Sequence, residues 1–170
     1  MKVILYMAIT ANGMIAKEND DTRFISKTEW KSFDEMSKKI GNLIMGRRTY
    51  EISLAEGTFP YPDRLNIVMT NRSTANKWEK VIFTKKSPKD VLQLLERMGF
   101  KTAFVGGGGT VNASFMEENL IDEIYLDIEP VILGKGIKLF ADKKFESKLK
   151  LIGIKKLSKN EIQLHYSVER

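Results

Sequence analysis

Cysteine is absent from the 170 residues of the chain. Its absence excludes disulfides and thiolate metal sites, and it fits a reducing cytoplasm, where we expect the protein to reside. Histidine occurs once, as His165. It sits in the alternating stretch EIQLHYSV, where a lone imidazole reads as structural, so no metal site is expected. No apolar stretch is long enough to span a membrane. The N-terminal run MKVILYMAITANGMIAKEND has Asn12-Gly13 where a secretion signal would place a small-residue cleavage site. We read it as a first strand. Repeats, low-complexity tracts and Pro/Gly/Ser linkers are also missing, so one domain over residues 1–170 is expected. The net charge is +6, but the lysines are scattered and form no stripe interleaved with aromatics. Nucleic acid is therefore not an expected partner, whereas an anionic small molecule is.

What is present is an alternation of short strands and helices. Residues 3–9 are apolar and β-prone. Ser26-Lys27-Thr28-Glu29 is a capping-box pattern, followed by Trp30, Phe33, Met36 and Ile40 at helical spacing. Residues 43–45 form a short strand that runs through Gly46 into a helical stretch. Residues 65–69 and 81–83 are strands. Ser87-Pro88-Lys89-Asp90 opens a helix with proline at its first position, and Gly99 closes it. Residues 102–105 are a strand, and Val111, Phe115 and Met116 stripe the helix after it. Residues 124–128 are a strand, and 149–157 with 162–168 read as a C-terminal hairpin. This order predicts an α/β fold: a mixed, mostly parallel sheet flanked by helices, with antiparallel strands at one end.

Two places combine a strand end, glycine and a helix start. FVGGGGTV puts Gly106, Gly107, Gly108 and Gly109 ahead of Thr110 and Val111. The dinucleotide pattern G-x-G-x-x-G fails there: started at Gly106 it meets Val111, and started at Gly107 it meets Asn112. The P-loop fails because no lysine follows. A phosphate cradle and a tight structural turn both remain open. Gly46-Arg47-Arg48-Thr49 repeats the arrangement with two arginines, which oppose the helix dipole unless an anion lies between. Two such starts in one small domain suit the two phosphates of a dinucleotide. Thr70-Asn71-Arg72 ends a third strand and suits an adenosine ribose with its 2′-phosphate. Asn12-Gly13 is a turn signal. Functionally, that loop could cover a ligand with Met14 and Ile15.

Taken together, YMAITANGMIA, LIMGRRTYE, LNIVMTNR and FVGGGGTV resemble the dihydrofolate reductase superfamily through most of the chain. Within it, LIDEIYLDIEPVILGKGIKLF is similar to the reductase (C-terminal) domain of bifunctional riboflavin-biosynthesis proteins. Asp122, Glu123, Pro130, Gly134, Gly136, Leu139 and Phe140 carry that likeness, and the chain would be a stand-alone member. The resemblance implies a three-layer dihydrofolate reductase-like fold and an NADPH-dependent reductase acting on a small heterocyclic or phosphorylated substrate. A riboflavin-pathway pyrimidine, 5-amino-6-(5-phosphoribosylamino)uracil or a relative, heads the list. A true dihydrofolate reductase or a non-catalytic NADPH-binding protein is the alternative.

By the same resemblance Ala8 and Ile9 would touch the nicotinamide, and Asn12, Gly13 and Ile15 would close over it. Gly46, Arg47, Arg48 and Thr49, with residues 106–111, would hold the pyrophosphate. Thr70, Asn71, Arg72 and Arg47 would surround the adenosine end. A homodimer is implied, with Ile132, Leu133 and Leu139 as contact candidates. The buried carboxylate of dihydrofolate reductases counts back to Trp30, an aromatic. Asp21, Glu29 or water is therefore the proton source, with Trp30 and Phe33 on the substrate side or in the core. Arg64 in DRLNIVMT resembles the arginine that grips a folate tail, though a solvated residue ahead of a strand is the reading we prefer. The steric expectation is that Gly107→Val abolishes cofactor binding before it unfolds the domain.

Overall fold

In the computed structural model, which describes residues 1–169, the chain runs β1 (Lys2–Thr10), β2 (Met14–Ala16), α1 (Lys27–Ile40), β3 (Asn42–Gly46) and α2 (Arg47–Ala55). It continues through β4 (Leu65–Met69), β5 (Val81–Thr84), α3 (Pro88–Arg97), β6 (Thr102–Val105) and α4 (Gly109–Glu117). Then come β7 (Glu123–Glu129), β8 (Ile137–Lys138), β9 (Leu149–Lys156) and β10 (Ile162–Val168). Arg170, the last residue of the expected domain, lies outside the described residues.

The main sheet has the order β5-β4-β3-β6-β1-β7-β10-β9. β5 through β7 are parallel to their neighbours. β10 is antiparallel to β7, and the hairpin partner β9 is antiparallel to β10. This is the mixed sheet read from the sequence. Strands β1, β3, β4 and β6 read as nearly unbroken apolar runs because both faces of the sheet are covered. Val3 and Leu5 join Ile44, Ile67 and Val105 beneath α3 and α4, which contribute Val91, Leu95, Val111 and Phe115. Ile4 and Tyr6 join Leu43, Met45, Val68 and Phe104 beneath α1 and α2, which contribute Phe33 and Tyr50. The result is three layers of dihydrofolate reductase-like type.

Local signals behave as their chemistry dictates. Ser26 and Ser87 cap α1 and α3, each accepting from the N–H three residues on. Gly99 adopts φ +89° just beyond α3. One small element has no counterpart in the sequence reading. β2 and β8 pair into a two-stranded sheet of their own, so the segment after Asn12-Gly13 is a fixed strap. Gly136 permits the pairing, since a Cβ there would lie 2.5 Å from the Ala16 carbonyl oxygen.

Candidate functional site

All the parallel strands deliver their carboxyl ends to one edge, the usual place for a ligand in an open α/β sheet. A cleft of about 870 Å3 lies there. Its floor includes Tyr6, Leu43 and Met45, and α1, α2, the start of α4 and the β2–β8 strap wall it.

The two glycine-bearing strand ends meet. The Gly46 N–H donates to the Gly107 carbonyl at 2.7 Å, and Gly106 N–H donates to Ile44 at 2.9 Å. The close approach depends on bare backbone: a Cβ on Gly46 would lie 3.0 Å from Val111 Cγ2, and one on Gly108 3.2 Å from Thr49 Oγ1. Gly46 and Gly108 are the N-caps of α2 and α4, and neither helix start has a side-chain cap. Residues 46–49 line the cleft, as do Gly106, Gly108, Gly109, Thr110 and Val111. Two adjacent helix starts thus turn unmet N–H donors toward one cavity.

Beyond them β4 and β5 end alike. Thr70 Oγ1 accepts from Arg72 N–H at 3.1 Å, and Thr84 Oγ1 accepts from Lys86 N–H at 3.1 Å. Thr70, Asn71, Arg72, Thr84, Lys85 and Lys86 all border the cleft. Lys85 and Lys86 were missed in the sequence. The signal that could have found them is the repeated pattern of threonine, any residue, cation at the ends of neighbouring strands. Arg72 has no side-chain partner among the described residues. Arg47, by contrast, grips Glu51 with both carboxylate oxygens at 2.6 Å, and Arg48 is paired with Asp20 at 2.5 Å.

Several expected residues stand off the cleft. Ala8 and Ile15 border it; Ile9, Asn12, Gly13 and Gly107 do not. Asn12 instead ties the strap, exchanging hydrogen bonds with the Leu133 backbone at 2.7 and 3.2 Å. Gly107 has φ +96°, and a Cβ there would lie 2.7 Å from Met7 Sδ. A valine at Gly107 therefore attacks the fold first, the reverse of the order expected from the sequence.

The α1 end of the cleft is built around Glu29. Its neighbours on the wall are Trp30 and Phe33, and Phe33 serves the core as well. Glu29 is 4% exposed. Burial, and then the negative charges of Asp127, Glu129 and Glu161, push its carboxyl up to about 8. The capping box read at Ser26 is half made. Ser26 Oγ accepts from Glu29 N–H at 3.0 Å, but Ser26 N–H donates to Glu129 Oε1 at 2.8 Å instead of to Glu29. Glu129, far away in sequence, takes the return bond and leaves the Glu29 carboxyl to the cleft. Alongside, Tyr6 donates to Asp127 at 2.5 Å, and Gln163 donates to the other Asp127 oxygen at 2.8 Å.

Asp21 does not qualify as a proton source. It holds Arg23 and Lys17 at 2.8 and 2.9 Å, and these bonds keep its carboxyl well below the usual range. Arg64 is neither solvated nor on the cleft: it is 2% exposed and its guanidinium is spent on Asp34, Ser37 and the Pro62 carbonyl. No group of acidic or histidine side chains able to hold a metal occurs among the described residues. No helix among them is long and apolar enough to cross a membrane.

The model of the RibD C-terminal domain family matches residues 1–163. The chain belongs to that family. It is 31% identical over 169 residues to the uncharacterised protein YwjB of Bacillus subtilis, covering 97% of each chain. It is 30% identical over 135 residues to a dihydrofolate reductase of Aedes albopictus, covering 74% of this chain and 72% of that one. Among solved structures, a protein of Shewanella sp. PV-4 named for riboflavin biosynthesis superposes over the full length of both chains. Its TM-score is 0.85 at 24% identity. Dihydrofolate reductase of Enterococcus faecalis, solved with NADP(H), superposes with a TM-score of 0.76 at 18% identity, covering 99% of this chain and 97% of that one. The RibD C-terminal fold and the dihydrofolate reductase fold are thus one architecture here.

Proposed function

We propose that this RibD C-terminal domain is an NADPH-dependent reductase of a small planar heterocycle. The observation that carries the reading is the juxtaposition of two uncapped glycine helix starts with a buried carboxylic acid in one cleft. The donor set fits the cofactor. Backbone N–H groups of residues 47–49 and 108–111 suit a pyrophosphate, and Arg72 with Lys85 and Lys86 suits a 2′-phosphate. When bound, NADPH supplies a hydride for a C=N or C=O bond of the substrate. The chain supplies the rest. Trp30 and Phe33 orient a flat ring, the strap and α1 exclude water, and Glu29 delivers a proton from its carboxyl oxygen. A carboxyl raised to about 8 is still protonated at neutral pH, which is what a general acid requires.

Titration with NADPH and NADH tests this reading, with quenching of Trp30 and Trp78 fluorescence as the readout. NADPH is expected to bind more tightly, and no binding of either sinks the proposal. Turnover then separates a reductase from a protein that only binds the cofactor. Glu29 also favours a second reading, a dihydrofolate reductase, since a buried acid on the first helix is what that activity asks for. Dihydrofolate and the riboflavin-pathway phosphoribosylaminouracil are the two substrates to try first.

The homodimer remains part of the proposal. Of the three contact residues expected, Ile132 is 76% exposed, whereas Leu139 is tied to the strap through Gly13. The outer hairpin presents more apolar surface, with Leu149, Leu151, Ile152, Ile154 and Ile162 exposed. Sedimentation at micromolar concentration tests the dimer.

A further inference from the structure

We propose that Asp127 is a positioning residue for the reaction: a buried, fixed carboxylate that acts through Glu29 and keeps the proton on it. The proposal rests on the reductase reading and adds a residue that no ligand would touch. Asp127 is 1% exposed and does not border the cleft. It lies in β7, across from Ala8 of β1 on one side and Gln163 of β10 on the other. Ala8 itself borders the cleft.

Three side chains fix its state and its place. Tyr6 Oη donates to Asp127 Oδ2 at 2.5 Å, and Gln163 Nε2 donates to Oδ1 at 2.8 Å. Tyr6 has one proton and gives it to Asp127, so in its 2.8 Å bond with Ser32 the serine is the donor. Each carboxylate oxygen thus receives a donor, the arrangement that suits an ionised group. Burial pushes the Asp127 carboxyl up, and the bonds from Tyr6 and Gln163 oppose it. Ser32 stands three residues beyond Glu29 and shares its face of α1. The chain from Ser32 through Tyr6 therefore sets the Asp127 carboxylate against the helix face that carries Glu29.

The groups around Asp127 do not cancel its charge. Glu29 faces it from α1, Tyr6 from β1, Gln163 and Glu161 from β10, and Glu129 follows it two residues on along the same face of β7. The cation that acts on it is Lys155, exposed on β9 across from Gln163. Among the described residues neither Asp127 nor Glu29 is in an ion pair. Burial comes first in disfavouring an ionised Glu29, and Asp127 leads the charges that add to it. With two donors clamping it, that charge stays in place through the reaction. The proton remains on Glu29 at neutral pH until a substrate atom takes it.

The test is a carbon-13 NMR titration of side-chain carboxyl groups in cofactor-free protein, with Glu29 assigned by its loss in Glu29→Gln. In the wild type Glu29 is expected to titrate at about 8, with Asp127 ionised throughout that step. A protonated Asp127 at neutral pH overturns the proposal, and that measurement needs no variant. Asp127→Asn deletes the charge but keeps an acceptor for Tyr6, and Asp127→Thr deletes it with a smaller side chain. In both, the Glu29 midpoint is expected to fall to lower pH. A midpoint that stays at its wild-type position in either folded variant overturns the proposal. In turnover, Asp127→Asn is expected to move the alkaline limb of kcat to lower pH together with the Glu29 midpoint, leaving KM and the acid plateau little changed. In a Glu29→Gln background the same substitution is expected to leave the pH profile as it was. A change in kcat and KM alike at every pH would mark a merely structural residue and overturn the proposal. Failure of NADPH to bind would remove the reductase reading alone, because the titration of cofactor-free protein still decides whether Asp127 holds the proton on Glu29.

Discussion

Glu29 has two neighbours in sequence that explain little about it and one partner far away that explains much. As the third residue of α1 it could have closed a capping box, a surface role. Glu129 takes the Ser26 N–H instead, and the freed carboxyl is buried among acids. Its charged form is therefore disfavoured in the folded protein, with an ordinary value of 4.5 raised to about 8. The sign follows directly. Below pH 4.5 the acid is protonated whether folded or not, and its contribution to stability is fully present. As pH rises through 8 that contribution is lost, because ionisation is free in the unfolded chain and costly in the native one.

Glu29→Gln cannot ionise, so it should match or exceed the wild type in stability at pH 9 by chemical denaturation. The same change should lower kcat by roughly 10²–10⁴-fold and remove the alkaline fall in rate. Wild-type activity from a Glu29→Gln variant would end its role as the acid. Glu129→Gln keeps an acceptor for Ser26 but removes a negative charge, so the alkaline limb should move to lower pH with little change below it.

The cofactor end makes a similar point. Arg47 and Arg72 look alike in the sequence, but Arg47 is engaged by Glu51 and Arg72 is not. Arg72→Ala should weaken NADPH by about 1.5–3 kcal/mol and NADH hardly at all, while Arg47→Ala should cost less than half of that. Titrating both cofactors against both variants checks it.

Among the elements, the helices and parallel strands were legible because their signals are local: a capping serine, a proline at a first turn, an apolar run with both faces buried. The β2–β8 strap was not, since two- and three-residue strands separated by 120 positions of chain have no period to detect. Its glycines were visible, but the contacts they permit are long-range. Gly109 lets the Lys138 carbonyl come within 2.6 Å of where a Cβ would stand, and Gly136 does the same for Ala16. The glycine block therefore serves two ends. Gly107 satisfies the fold against Met7, while Gly108 and Gly109 also border the cleft. Gly136→Ala should loosen the strap by about 1–3 kcal/mol of local stability. Native-state hydrogen exchange should show faster exchange at Leu139, whose N–H bonds Gly13, with β1 and β6 unchanged. Gly107→Val should instead lower the melting temperature of the cofactor-free protein. A variant that folded normally and bound NADPH poorly would restore the purely steric reading of that glycine.

At the scale of the molecule, the division of charge along the cleft connects stability with ligand choice. A net charge of +6 draws anions generally, yet unengaged cations line the cleft at the end holding Arg72, Lys85 and Lys86, while paired or acidic groups occupy the other. Whatever binds only the folded protein stabilises it by mass action, about 2.7 kcal/mol at a hundred times its dissociation constant. For a domain of this size each kcal/mol raises the melting temperature by about 2–4 °C, so saturating NADPH should raise it by about 5–11 °C. NADH lacks the 2′-phosphate and should give a smaller shift at the same concentration. The difference between the two should shrink as salt is raised, because those cations are partly exposed and a Debye length of about 3 Å at 1 M screens them. Equal shifts at low salt, or a difference that salt leaves untouched, would mean that the strand-end cations do not read the 2′-phosphate. The two halves of the cleft would then differ in charge for a reason unconnected with the cofactor.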